Sequence, residues 1–208
     1  MHRLSTFISY FFHPIFLNFY VVVLFLFVHP YTASKMQGNA RILHVIILFV
    51  NMVFLPLILL LFLKWRKLIS SYQIPIRGER GLLYLMLGVL FGITTYQMNN
   101  QDFSYVLVGF IASMSVGLLV LYVINLKTKI SMHAVSAGSA VGSFAYLVFF
   151  EQTQSLVCFL IIFLLIAGLI GSARLYLKAH NSSQVWLGYL VGFSITISIL
   201  WIITHVLN

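Results

Sequence analysis

From Ile46 to Leu63 the chain runs through eighteen residues with no charge and a single side-chain amide, Asn51. A run of this length matches the roughly 20 residues that a helix needs to cross a bilayer. A soluble protein would rarely contain one, and here it is the rule along most of the sequence. Apolar types make up 62% of the 208 residues and charged types 7%, with a mean hydropathy of +1.05. A soluble domain carries roughly 25% charged residues, so these charges are too few to cover a water-facing surface. Disorder is excluded as well, because disordered chains are rich in charge and poor in aromatics, and 16% of this chain is aromatic. A transmembrane barrel would alternate apolar and polar positions over segments of about ten. The continuous runs instead specify an all-α, polytopic transmembrane bundle of six to seven spans, a single membrane domain over 1–208.

Breaks at charged or polar clusters place seven candidate spans at about 12–30, 42–63, 81–98, 103–125, 133–150, 154–176 and 184–207. The first follows Met1-His2-Arg3 and is longer than the 7–15 residues of a signal core, so it reads as a retained helix. The third ends on the polar string Thr94-Thr95-Tyr96-Gln97. Seven crossings put ten cations on one side (Arg3, Lys64, Arg66, Lys67, Arg77, Arg80, Lys127, Lys129, Arg174, Lys178). The other side has two cations, Lys35 and Arg41, with the acids Asp102 and Glu151. The positive-inside rule assigns the richer side to the cytoplasm and the two termini to opposite sides. The net charge of +9 is scattered over membrane loops and forms no stripe for nucleic acid. The lone Cys158 lies in an apolar span and has no partner for an internal disulfide.

Gly138-x3-Gly142 and Gly188-x3-Gly192 have the small-residue spacing that lets membrane helices approach closely, and intramolecular packing is the expected use. Chemistry is concentrated in three clusters on the cation-rich side. Arg77-Gly78-Glu79-Arg80 opens the third span, and Lys127 to His133 opens the fifth. Arg174 to Gln184 joins the sixth to the seventh. Taken singly, each member has an ordinary explanation: lysines and arginines mark topology or meet headgroups, and Asn181 with Gln184 forms a capping box. Together, Arg80, Lys129 and Arg174 with His133 and His180 at two helix starts suit a phosphate. Guanidiniums would hold its oxygens, one imidazole would attack phosphorus and the other would protonate the leaving oxygen.

Ser131-Met132-His133 before a small-residue helix, and Arg174-x5-His180-x3-Gln184 before Gly188, resemble the second and third motifs of the type-2 phosphatidic acid phosphatase superfamily. The resemblance covers about 64–207. It implies His180 as the nucleophile that forms a phosphohistidine and His133 as the general acid. Arg174 and Ser131 would hold phosphate oxygens, with no metal and no other cofactor. The chain departs from the family at several places. Ile130 and Met132 replace Pro and Gly of the second motif. The first motif, Lys-x6-Arg-Pro, is absent, and Arg77 or Arg80 stands in that region. Gln184 replaces the Asp that orients the nucleophilic imidazole, a change that in a serine protease costs about 10⁴ in rate. Many bacterial members of the family also face the periplasm, whereas the charge count here turns the pocket to the cytoplasm.

The expected function is hydrolysis of a lipid phosphate or isoprenoid pyrophosphate in an inner or plasma membrane. The alternative is a non-catalytic lipid-phosphate binder or carrier with a degenerate pocket. An unrelated transporter is disfavoured because no acidic residue lies within a span.

Overall fold

The computed structural model describes residues 2–35, 38–72, 74, 76–101 and 103–206. Asp102 and the terminal residues Met1 and Asn208, on which part of the topology reading rests, lie outside them. The elements run α1 (His2–Phe11), α2 (Pro14–Val28), α3 (Pro30–Lys35), α4 (Asn39–Phe49), α5 (Leu55–Trp65), α6 (Arg77–Asn99), α7 (Tyr105–Asn125), α8 (Met132–Phe149), α9 (Val157–Tyr176) and α10 (Ser182–His205). A π-helical turn, Val50–Phe54, fuses α4 and α5 into one 27-residue helix. Pro56 has no N–H to donate back to Met52, and the widened turn absorbs that gap. Six helices are long and apolar enough to cross a membrane, and a seventh crossing exists if α1 and α2 count as one bent span. The chain is therefore an all-α integral membrane protein. Large apolar side chains such as Leu61, Leu165 and Leu190 remain outside, where lipid replaces water.

The first candidate span needs correcting. Instead of one helix over 12–30, Pro14 and Pro30 divide the segment, leaving α2 only 15 residues long. At 1.5 Å per residue this is about 22 Å, short of the roughly 30 Å hydrocarbon core. The third span is intact. The hydroxyls of Thr94 and Thr95 donate to the carbonyls of Leu90 (2.9 Å) and Phe91 (2.7 Å), which makes the polar end compatible with a helix.

Helix α8 sits at the centre because its residues are small. Ala137, Gly138, Ala140, Gly142 and Ser143 give it a slim surface, and 78% of its most apolar window is buried. Each glycine pair packs against the opposite helix, Gly138 and Gly142 against Tyr189 and Phe193 of α10, Gly188 and Gly192 against Ala134, Val135 and Ser139 of α8, so their role is internal packing. A Cβ at Gly188 would lie 2.8 Å from the Ala134 Cβ and 2.9 Å from the Ser131 carbonyl. A Cβ at Gly142 would lie 2.9 Å from the Phe193 carbonyl. This contact brings the starts of α8 and α10 together, and the Ser131 N–H donates to the Gln184 carbonyl (3.3 Å).

The two ends of the bundle differ in charge. At the end holding the starts of α6, α8 and α10, side chains join successive loops. Arg77 donates to the Lys127 carbonyl (2.6 Å), Asn125 to the Arg77 carbonyl (2.9 Å), and Lys129 to the Ala179 carbonyl (3.4 Å). At the other end Glu151 turns inward. It accepts from the Tyr105 hydroxyl (3.0 Å) and lies 3.5 Å from His29 Nε2. His29 Nδ1 meets the Thr32 hydroxyl (2.9 Å), which donates to Ser104 (2.8 Å).

Candidate functional site

Two helix starts and one helix end build the site. Ser131 caps α8 by accepting from the Ala134 N–H (3.4 Å), which places His133 in the first turn. Asn181 caps α10 by accepting from the Gln184 N–H (2.9 Å), which places His180 one residue before that cap. Arg174 comes from the last turn of α9. Gln184 has both of the roles its position allowed. Its Oε1 accepts from the Asn181 N–H at 3.4 Å, completing the capping box, and from His180 Nδ1 at 3.0 Å. Two donors converge on one oxygen, which fixes the amide's orientation. An Nδ1 that donates leaves the lone pair of the neutral ring on Nε2, the atom a nucleophile needs.

Arg80, 8% exposed, donates to the carbonyls of Ile74 (2.8 Å) and Ile130 (3.2 Å). That anchors its guanidinium beneath the α7–α8 loop. The charges of Arg174, Arg80 and Lys129 all reach His180. His133 is within electrostatic reach of Arg174, His13 and His180. The sequence clusters therefore converge at one end of the bundle, as the motif order predicts. Arg77 stays outside the convergence, exposed and bonded to Lys127, so Arg80 is the arginine that takes part. Ser131 is fully buried with its oxygen engaged as a cap, so only its hydroxyl proton is available to a ligand. Met132 lies beside the site and lines the adjoining cleft.

Burial, together with the three surrounding cations, holds the His180 imidazole down to about 4, against the upward pull of its bond to Gln184. His180 is thus neutral at pH 7. Lys129 is lowered from its ordinary value by burial and by the charges of Arg80 and Arg174. Among the described residues no carboxylate pairs with this cluster. Glu79, nearest in sequence, accepts from the N–H and hydroxyl of Ser70, both at 2.9 Å. The buried Nε of Arg174 has no acceptor among the described residues. Among the described residues these three cations have no counter-ion and one has an open donor, an arrangement chemically suited to an anion. Among the described residues no group of three or more His, Cys, Asp or Glu could hold a metal ion.

Two residues of the site escaped the sequence reading. The Ser9 carbonyl accepts from His133 Nε2 (3.0 Å), and the Ser9 hydroxyl accepts from Arg174 Nη1 (3.3 Å). His13, between α1 and α2, sets its ring edge-on to His133 with centroids 5.4 Å apart. Ser5, Ser9 and His13 recur every four residues, a polar stripe in an apolar segment that was the available signal.

A small cleft of about 60 Å³ opens beside the site, lined by Pro14, Met132, Leu118, Leu121, Leu87 and Phe91 among others. Its walls are chiefly apolar, with Asn18 and Ser136 bonded to each other (2.8 Å) on one side. No family model matches the chain, and neither the curated proteins nor the solved structures contain a match to it.

Proposed function

We propose that the protein is a metal-independent phosphatase of an inner or plasma membrane, acting on a lipid phosphate or isoprenoid pyrophosphate. The observation that carries this reading is the His180–Gln184 bond, which leaves the Nε2 of a neutral ring unprotonated within electrostatic reach of Arg174, Arg80 and Lys129. In the proposed reaction the Nε2 lone pair attacks phosphorus, forming the N–P bond as the ester or anhydride P–O bond breaks. His133, taking up a proton as the negatively charged phosphate binds, supplies that proton to the departing oxygen. Water then attacks the phosphohistidine, giving its proton to His133 and returning His180 to the neutral state. Arg174, Arg80 and Lys129 hold the non-bridging oxygens. Negative charge on the phosphate supplies what this end of the bundle lacks. The apolar lining of the small cleft beside Met132 favours a substrate with an apolar portion next to its phosphate.

A second reading, a non-catalytic lipid-phosphate binder or carrier, is favoured by one observation: Gln184 is neutral and stabilises a cationic imidazole less than a carboxylate would. Phosphate release from a panel of lipid phosphates and pyrophosphates, in detergent with chelator present, tests the choice. The phosphatase reading expects release that His180→Ala and Arg174→Ala both abolish. Binding that Arg174→Ala removes, without any release, would establish the binder.

A further inference from the structure

We infer that α1 is a lid over the anion site, and that Ser9 occupies the positions which the oxygens of a bound phosphate take when the lid moves. The inference rests on the proposed phosphate site and adds an entrance to it. The polarity of α1 is inverted for a helix at a water-facing surface. Leu4, Phe7, Tyr10 and Phe11 face outward with 61%, 61%, 59% and 49% exposure, while Ser5 and Ser9 are turned inward at 9% and 8%. Such a helix suits the bilayer interface, with its apolar face in lipid. It packs on α9 and bends by 54° from α2 at the Phe12–His13 break, just before Pro14.

The hydrogen bonds separate fixed donors from competed ones. Arg80 and Lys129 bond to carbonyls of the loops beside them, and His180 bonds to Gln184 within its own helix start. Of these site donors, His133 and Arg174 are the two that, among the described residues, have acceptors supplied by α1, both from Ser9 and across 124 and 165 residues of chain. These are the two groups that must turn to the phosphate: one donates a proton and the other binds oxygen. A carbonyl and a hydroxyl are weaker acceptors than phosphate oxygens, whose charge-assisted bonds are about twice as strong. An anion therefore competes with α1 for the same two donors, and the Phe12–His13 break offers a hinge. The displaced helix opens the site laterally, on the side where lipid lies.

The test uses the full chain in lipid nanodiscs, with a nitroxide on Phe7→Cys in a Cys158→Ser background and orthovanadate as the phosphate-sized probe. Vanadate is expected to raise nitroxide mobility at position 7 and leave a control label at Leu165→Cys unchanged. Ser9→Ala removes one competing acceptor and is expected to tighten vanadate binding about fivefold, the scale of one neutral hydrogen bond. Vanadate binding that requires Arg174 but leaves the position 7 label unmoved would overturn the lid and spare the site. Weaker binding in Ser9→Ala would do the same, by making Ser9 a ligand instead of a stand-in. An absence of Arg174-dependent binding in both the parent and Ser9→Ala would overturn the site itself, and the lid with it.

Discussion

Gln184→Glu is the substitution whose effect follows most directly from the geometry. The side chain keeps its length, so the new carboxylate oxygen stands where Oε1 stands now, 3.0 Å from His180 Nδ1 and 3.4 Å from the Asn181 N–H. Glutamate is a regular capping-box residue at this position, so the start of α10 should be unaffected. The change lies in the acceptor. A neutral hydrogen bond contributes about 0.5–1.5 kcal/mol and one to a charged group about 1.5–3 kcal/mol. As the imidazole becomes cationic on attacking phosphorus, the variant should gain about 1–1.5 kcal/mol over the parent. That is roughly a tenfold increase in rate constant. Gln184→Asp is shorter by one methylene and should gain less, because the imidazole must move to meet it. The assay is the single-turnover rate of phosphate release, paired with thermal unfolding to confirm that the cap survives. A tenfold fall in rate at unchanged stability would refute the orienting role of this residue.

Other consequences can be checked independently. His180 takes up a proton in the folded protein only as pH falls toward about 4, whereas an unfolded histidine does so near 6.5. Stability from this group is therefore complete above 6.5 and is lost as pH falls from 6.5 through 4. Histidine NMR should show its ring neutral from pH 5 to 8; a midpoint near 6.5 would contradict the described environment. Gly188→Ala places a Cβ 2.8 Å from that of Ala134, forces α8 and α10 apart, and should cost about 1–3 kcal/mol. Unchanged thermal stability would show that these helices do not meet there. Glu151→Gln removes the charge that faces His29 and Tyr105 and should cost about 1–3 kcal/mol. The 18-residue α8, about 27 Å long, separates Glu151 from the site. Phosphate release by folded Glu151→Gln protein should therefore match the parent; a large loss would link the two ends.

The spans from α6 to α10 were legible because charged or polar clusters fall at their ends and the apolar runs between them have the length of a bilayer. The segment before Arg41 was read less well. Hydropathy averages over Pro14 and Pro30, which trim the expected helix over 12–30 to α2 (Pro14–Val28), and the short helices α1 and α3 on either side of it were not expected. The same limit applies to the site. His133, Arg174 and His180 are found by motif spacing, but Ser9 touches them only through folding, across 124 and 165 residues. Spacing also leaves Arg77 and Arg80 as equals. The burial of Arg80 under the Ile130 carbonyl separates them. Gln184 presented two readings, cap and imidazole partner, and a single oxygen serves both.

The central claim is that the Nε2 of His180 carries phosphorus. Rapid quenching in alkaline detergent after mixing the protein with a ³²P-labelled lipid phosphate, followed by mass spectrometry of the labelled peptide at high pH, measures it directly. The account predicts an acid-labile phosphoryl group on His180, formed in the presence of chelator and absent from His180→Ala. Lipid phosphate hydrolysis that continues in His180→Ala, or label found on another residue, would contradict it.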